Sequence, residues 1–171
     1  MSPVDPAVRW VRLLAPISGR LVPLEQVPDP VFAERMAGDG VAIEPAVGRR
    51  GAAVTVVAPC DGRLAALFPG GHALAIVGPG GVEVIVHVGL DTVELKGAGF
   101  KTLARQGKEV RAGQPLVRFD PEVLGRRGKR ALSPVLVTNV DAVERLEVAA
   151  GPEVRAGEDV LLTVWLKEAA E

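Results

Sequence analysis

Apolar residues along the chain fall in short runs rich in valine and leucine: RLVPL, VAIEP, VTVVAP, ALAIV, VEVIVHV, PLVRF, PVLVTNV and DVLLTVWL. Glycine and proline stand between them. Runs of this length, β-branched and bounded by turn formers, predict many short strands. Two segments carry helix signals instead. In DPVFAERMA, Asp29 can cap the first turn and Pro30 occupies the first helical position, while GFKTLARQG has a glycine at each end. The expected fold class is all-β with one or two short helices.

Internal similarity sharpens this expectation. APISGRLVPL (15–24) is similar to APCDGRLAAL (58–67), and VRAGQPLVRF (110–119) to VRAGEDVLLTVW (154–165). One hairpin element used twice predicts a compact β-sandwich with a duplicated hairpin, a barrel-sandwich hybrid motif, whose halves bury each other's apolar faces. The period is too irregular for a solenoid. A chain of 171 residues suits a single core. That domain is expected over residues 13–167, with tails at 1–12 and 168–171 and an exposed loop at VGRRGAA (47–53).

Both histidines lie near one predicted hairpin, HALAIV and VEVIVHV joined by GPGG. With residues 78–81 as the loop, Val77 pairs with Val82, Ile76 with Glu83, Leu74 with Ile85, and His72 with His87. Directly opposed residues share a face, with Cβ atoms about 4.5–5.5 Å apart. The same register assigns Ala73, Ala75, Val77, Val82, Val84, Val86 and Val88 to a core face, and Leu74, Ile76, Ile85 and Glu83 to the histidine face.

Composition removes several classes of function. A formal net charge of −1 gives no electrostatic pull toward nucleic acid or anionic membrane. No apolar run approaches the roughly 18 residues that span a bilayer, and MSPVDPAVRW is not a signal peptide. A cytoplasmic protein is expected. The single cysteine, Cys60, can form no intramolecular disulfide and reads as structural.

A lone histidine is commonly a structural residue bonded to a nearby carbonyl, but two opposed across a ladder call for a ligand or a reaction. A zinc hydrolase usually needs three protein ligands and a water, and only Asp91 and Cys60 could supplement the two imidazoles. A biotinyl or lipoyl carrier needs a modifiable lysine, typically flanked by methionines, and neither Met1 nor Met36 stands beside one. Phosphoryl transfer through histidine itself uses both rings without a metal. A neutral imidazole nitrogen is a good nucleophile at pH 7, and a second ring could donate a hydrogen bond to the phosphoryl oxygens.

Four ordered blocks, DPVFAERMAGDGVAIEP (29–45), APCDGRLAALF (58–68), VHVGLDTVELKGAGF (86–100) and LSPVLVTNVD (132–141), closely resemble the glucose-type enzyme IIA of the bacterial phosphoenolpyruvate-dependent sugar phosphotransferase system. The similarity runs from about Leu14 to Trp165. It implies that His87 accepts a phosphoryl group on Nε2 from the histidine-containing phosphocarrier protein, HPr, and passes it to a cysteine of an enzyme IIB domain. It implies that His72 steadies the phosphoryl group, and that the backbone carbonyl of Gly89 holds the Nδ1 proton of His87. No cofactor is implied.

The resemblance also places Asp29, Val31, Phe32, Met36, Phe68, Leu74, Ile85, Asp91 and Val93 on a shallow apolar face for docking HPr and IIB. Such a carrier presents only a phosphohistidine, so the sugar is selected by the permease domains. There are departures from the family pattern. Gly70 stands where a threonine or similar polar residue commonly precedes the second histidine by two positions, Ile85 stands where phenylalanine is common, and the loop around Arg49 and Arg50 is longer. A regulatory binding module using the same face is the alternative, with zinc bridging His72, His87 and a partner's carboxylate.

Overall fold

A computed structural model describes residues 7–48 and 52–168, and nearly every apolar run of the sequence becomes a strand in it. Strands β1 (Trp10–Leu14) and β2 (Gly19–Val22) precede a one-turn helix, α1 (Pro30–Ala33). Next come β3 (Asp39–Pro45), β4 (Val54–Val57), β5 (Gly62–Leu67), β6 (Ala73–Val77) and β7 (Glu83–His87). Then β8 (Phe100–Thr102), β9 (Glu109–Val110) and β10 (Pro115–Phe119) lead into α2 (Pro121–Arg126). The chain closes with β11 (Ser133–Val137), β12 (Val143–Val148), β13 (Glu153–Val154) and β14 (Val160–Leu166).

The strands form an eight-stranded sheet, in the order β13-β2-β3-β11-β7-β6-β5-β9, and two three-stranded sheets, β1-β14-β12 and β4-β10-β8. All pairings are antiparallel. The all-β sandwich is therefore present. Its main core gathers fully buried residues from all three sheets, among them Leu13, Ile43, Leu64, Leu116 and Leu162. A second cluster of Leu24, Val27, Phe32, Leu90, Leu132 and Leu136 lies beneath α1.

The duplicated sequence elements make duplicated bonds. Val154 pairs with Gly19 and Glu153 with Arg20, as Val110 pairs with Gly62 and Glu109 with Arg63. The Gly157 N–H donates to Ala15 O at 2.9 Å and the Gly113 N–H to Ala58 O at 2.8 Å. Side chains follow the same rule, with Ser18 Oγ accepting from the Ala156 N–H at 2.9 Å and Asp61 Oδ1 from the Ala112 N–H at 2.8 Å. The halves are also tied crosswise. Leu14 donates to Pro59 O at 2.8 Å, and Val57 to Pro16 O at 2.9 Å.

The β6–β7 register differs from the expected one by one residue. Val77 pairs with Glu83, Ile76 with Val84, Ala75 with Ile85, Leu74 with Val86 and Ala73 with His87. The loop takes in Val82, which is fully buried, because a distant residue pins it: the Asn139 side chain accepts from the Glu83 N–H at 2.9 Å and donates to Gly81 O at 3.0 Å. The faces are reassigned accordingly. Leu74 and Ile76 join Val84 and Val86 in the main core, while His87 shares its face with Ala73, Ala75 and Ile85. Leu74 has no exposed surface and so leaves the docking face assigned to it from sequence.

Other expectations change as well. GFKTLARQG forms no helix, since Phe100–Thr102 is the strand β8, paired with β10. The second helix is α2, whose Asp120–Pro121 start repeats the Asp29–Pro30 signature, with Asp120 Oδ1 accepting from the Glu122 N–H at 2.9 Å. The expected N-terminal tail extends too far, because β1 begins at Trp10, which pairs with Trp165. In the loop at 47–53, Val47, Gly48, Ala52 and Ala53 are exposed and irregular; residues 49–51, like 1–6 and 169–171 of the expected tails, lie outside the described residues.

A substitution distinguishes the two registers. Leu74→Ala is expected to lower unfolding free energy by about 2–5 kcal/mol in urea denaturation, as for a fully buried leucine. Met36→Ala, on the exposed side of the site, should change it by less than about 0.5 kcal/mol.

Candidate functional site

His87 ends β7 and His72 lies just before β6, so the hairpin brings its two imidazoles to one end of the eight-stranded sheet. The Val88 N–H donates to His72 O at 2.7 Å, which continues the backbone pairing past the strand end. Gly70 and Gly71 have φ of +91° and +90°, so the chain leaves strand geometry immediately before His72. Strict side-chain alternation therefore does not govern that ring. The two centroids lie 5.7 Å apart, edge to face at 69°.

Each ring is oriented by a backbone carbonyl. His87 Nδ1 lies 2.6 Å from Gly89 O, and His72 Nδ1 lies 3.3 Å from Pro69 O. A carbonyl oxygen only accepts, so Nδ1 carries the proton in both rings. In a neutral ring this leaves the lone pair on Nε2, the nitrogen available to attack or to ligate. The carbonyl of Pro69 occupies the orienting role that the sequence comparison associated with a polar side chain at position 70.

His87 is half-buried, and burial pushes its pKa below the ordinary imidazole value. The Gly89 hydrogen bond acts in the opposite direction, His72 adds to the lowering, and the nearby carboxylates of Asp29 and Asp91 oppose it. Burial outweighs these carboxylates. The neutral nucleophilic ring is thus favoured while acidic groups stand close enough to stabilise positive charge on it.

The expected docking residues divide into wall, rim and core. Phe32 is buried, with its ring centroid 5.4 Å from that of His87, and Ile85 packs on the same cluster. Phe68 lies 5.9 Å from the His72 ring and is exposed, as are Val31, Val93 and, at 71%, Met36. Asp29 caps α1 by accepting from the Val31 N–H at 3.0 Å, and Asp91 is exposed in the turn after β7. Arg35 fastens the end of α1 through ion pairs to Glu25 at 3.1 Å and Asp39 at 2.9 Å. Phe68 beside His72, with the carboxylates of Asp29 and Asp91 near His87, gives this face the mix of exposed apolar and acidic groups that suits transient association.

Gly89 is confined from every side. With φ at +76°, it would bring an added Cβ to 2.6 Å from Thr92 Cγ2 and 2.8 Å from Arg130 O. Thr92 Oγ1 donates to Val88 O at 2.6 Å, and the Gly89 N–H donates to Ser133 Oγ at 3.1 Å. Sequence reasoning passed over Thr92 and Ser133. Their signal was available, a single hydroxyl in each of the apolar contexts LDTVEL and LSPVLV.

Among the described residues, no group of three or more His, Cys, Asp or Glu side chains is gathered to hold a metal. The two imidazoles alone fall short of the four-coordinate set zinc prefers. Cys60 is buried in the main core, where burial first and Asp61 second push its thiol up to about 12, so it stays protonated at neutral pH. No helix among the described residues is long and apolar enough to cross a membrane.

Comparison with known proteins adds to this geometry. The family model for the phosphoenolpyruvate-dependent sugar phosphotransferase system, EIIA 1, matches residues 11–143. The PTS system glucose-specific EIIA component of Halalkalibacterium halodurans is 43% identical over 152 residues, 89% of this chain and 84% of that protein. The protein of the same description from Bacillus cereus is 39% identical over 155 residues, 91% of this chain and 90% of that one. Among solved structures, glucose permease IIA from Mycoplasma capricolum superposes with a TM-score of 0.81 at 37% identity, covering 91% of this chain and 96% of its own.

The electrostatic balance at His87 has a direct readout. In an NMR titration of the folded protein, His87 is expected to protonate below about 6.5, the value of an unperturbed imidazole. The folded state then binds fewer protons than the unfolded chain in that window, so His87 makes stability fall as the pH drops through it. A midpoint above that value would mean that the Gly89 hydrogen bond, together with Asp29 and Asp91, outweighs burial.

Proposed function

Because the chain belongs to the EIIA 1 family of the phosphoenolpyruvate-dependent sugar phosphotransferase system, and so to its phosphocarriers, we propose that His87 is the residue that carries the phosphoryl group. The supporting observation is the His87 Nδ1 to Gly89 O contact of 2.6 Å, which leaves the Nε2 lone pair free. The proposed donor is phosphohistidine HPr. Nε2 of His87 attacks phosphorus, the donor N–P bond breaks, and its electron pair returns to the donor ring. The Nδ1 proton stays on His87, whose ring becomes positively charged. Gly89 O, Asp29 and Asp91 stabilise that charge.

His72 is proposed to steady the phosphoryl group. Its Nδ1–H is directed at Pro69 O, so Nε2 can donate to a phosphoryl oxygen only after taking a second proton. The arriving dianion supplies the electrostatic incentive for that protonation. In the onward step, a cysteine thiolate of a IIB domain attacks phosphorus, the His87 N–P bond breaks, and the ring returns to its neutral form. The exposed Val31, Met36, Phe68 and Val93 would seat both partners in turn, with Asp29 and Asp91 facing cationic side chains at the rim. The proposed setting is the cytoplasm.

A regulatory role is compatible with the same face. His72 and His87 offer two Nε2 lone pairs, so a partner supplying a carboxylate would complete three protein ligands for a bridging zinc ion.

Intact-mass analysis after incubation with phosphoenolpyruvate, enzyme I and HPr tests the proposal. The expected result is an acid-labile gain of one phosphoryl group that is absent in His87→Gln. His72→Gln should still be phosphorylated but should pass the group to IIB more slowly, by roughly 10²-fold, the scale of losing one donor to a developing charge. Failure of the unaltered protein to gain mass with authentic partners would overturn the carrier reading, and normal onward transfer by His72→Gln would overturn the role of His72.

A further inference from the structure

We propose that Ser133 is a positioning residue for the phosphoryl acceptor, setting the proton position on His87 through Gly89. The inference rests on the phosphohistidine reading of His87. Ser133 opens β11 and is fully buried. Its hydroxyl donates to Ala131 O at 2.7 Å and accepts from the Gly89 N–H at 3.1 Å. One residue further on, the Leu90 N–H donates to Arg130 O at 3.0 Å. Consecutive N–H groups of the turn after β7 are thereby fastened to residues 130–133.

Planarity carries this attachment to the imidazole. Across a trans peptide, the Gly89 carbonyl points opposite to the Leu90 N–H. With that N–H directed at Arg130 O, the carbonyl is turned the other way, and His87 Nδ1 lies 2.6 Å from it. The Arg130 contact is backbone to backbone, whereas Ser133 supplies a side-chain acceptor for the Gly89 N–H. It also folds residues 131–133 back on themselves, which holds Arg130 O in place.

Removing the hydroxyl leaves a buried Gly89 N–H without its acceptor. An unsatisfied buried donor is driven to find another partner. Glycine at φ of +76° has the widest freedom to rotate toward one. Such a rotation carries the Gly89 carbonyl away from Nδ1, and the neutral ring is then free to place its proton on Nε2, which removes the attacking lone pair. Ser133 touches neither phosphorus nor partner in this scheme; it acts by keeping the reactive tautomer populated.

The test measures tautomers directly. Long-range ¹H–¹⁵N correlation spectra of the unphosphorylated full chain report which His87 nitrogen is protonated in the unaltered protein, Ser133→Ala, Ser133→Thr and Ser18→Ala. Ser18 is the control because its hydroxyl also accepts a backbone N–H, that of Ala156 at 2.9 Å, in a different part of the sheet. Ser133→Ala should show substantial Nε2–H and accept phosphate from HPr roughly ten- to a hundredfold more slowly, as for a misplaced reacting group. Ser133→Thr, which keeps the oxygen, should restore both, and Ser18→Ala should leave both unchanged. If Ser133→Ala does not fold, Ser133→Cys takes its place, since a thiol is nearly the same size but a weak acceptor.

An unchanged Nδ1–H population in Ser133→Ala, with a rate matching Ser18→Ala, would overturn the inference. Failure of the unaltered protein to accept phosphate would overturn the carrier reading alone, because the tautomer measurement needs no phosphoryl donor.

Discussion

A carbonyl oxygen can receive a hydrogen bond but never give one, and the contact between Gly89 O and His87 Nδ1 uses this asymmetry to leave a lone pair on the other nitrogen. Much of the local architecture serves that contact. Gly89 must adopt positive φ in a space without room for a side chain. Thr92 Oγ1 holds the peptide before it, and Arg130 O holds the one after it. Phe32, the buried residue of α1, packs its ring 5.4 Å from that of His87. Burial favours the neutral imidazole, while Asp29 and Asp91 remain near enough to support the charge that the proposed bond at Nε2 would create.

The duplicated sandwich provides the rigid frame for this turn. Its central strands β11, β7 and β6 lie between matched ends, β13 with β2 and β9 with β5. Positions occupied by Ser18 and Asp61 perform the same capping of a backbone N–H in the two halves. Chemistry is not duplicated with the frame. Both histidines flank one hairpin, and the exposed Phe68 lies beside His72 there. Structural equivalence thus extends to the turns that close the sandwich, while the placing of the two imidazoles depends on local departures such as the left-handed glycines before His72.

Short β-branched runs between turn formers and the two repeated motifs made the all-β class and the duplicated hairpin legible before any coordinates, and the Asp29–Pro30 start did the same for α1. Proximity of His72 and His87 was legible too, but by a register that was wrong by one residue. The loop length depends on Asn139, more than fifty residues away in sequence, and a local count of a hairpin cannot register its two bonds. A separation of 44 residues likewise hid Ser133 from its partner Gly89. By contrast, α2 was missed despite a local signal, the Asp–Pro start already recognised at α1. Leu74 illustrates the cost of the slip, since moving a strand by one position exchanges a surface residue for a core residue.

The crosswise pairing of the chain's beginning and end bears on its synthesis. Trp10 meets Trp165 and Gly19 meets Val154, so the first strands of this domain to be synthesised have partners among its last. Contacts of such long sequence separation slow folding, because the loop must close before the contact returns any stability. Nascent β2 can pair with β3 on one edge, but its other edge waits for β13, and β1 has no partner strand until β14 has emerged. A prematurely terminated chain would expose those unpaired edges to neighbouring chains, making translation errors a route to aggregation.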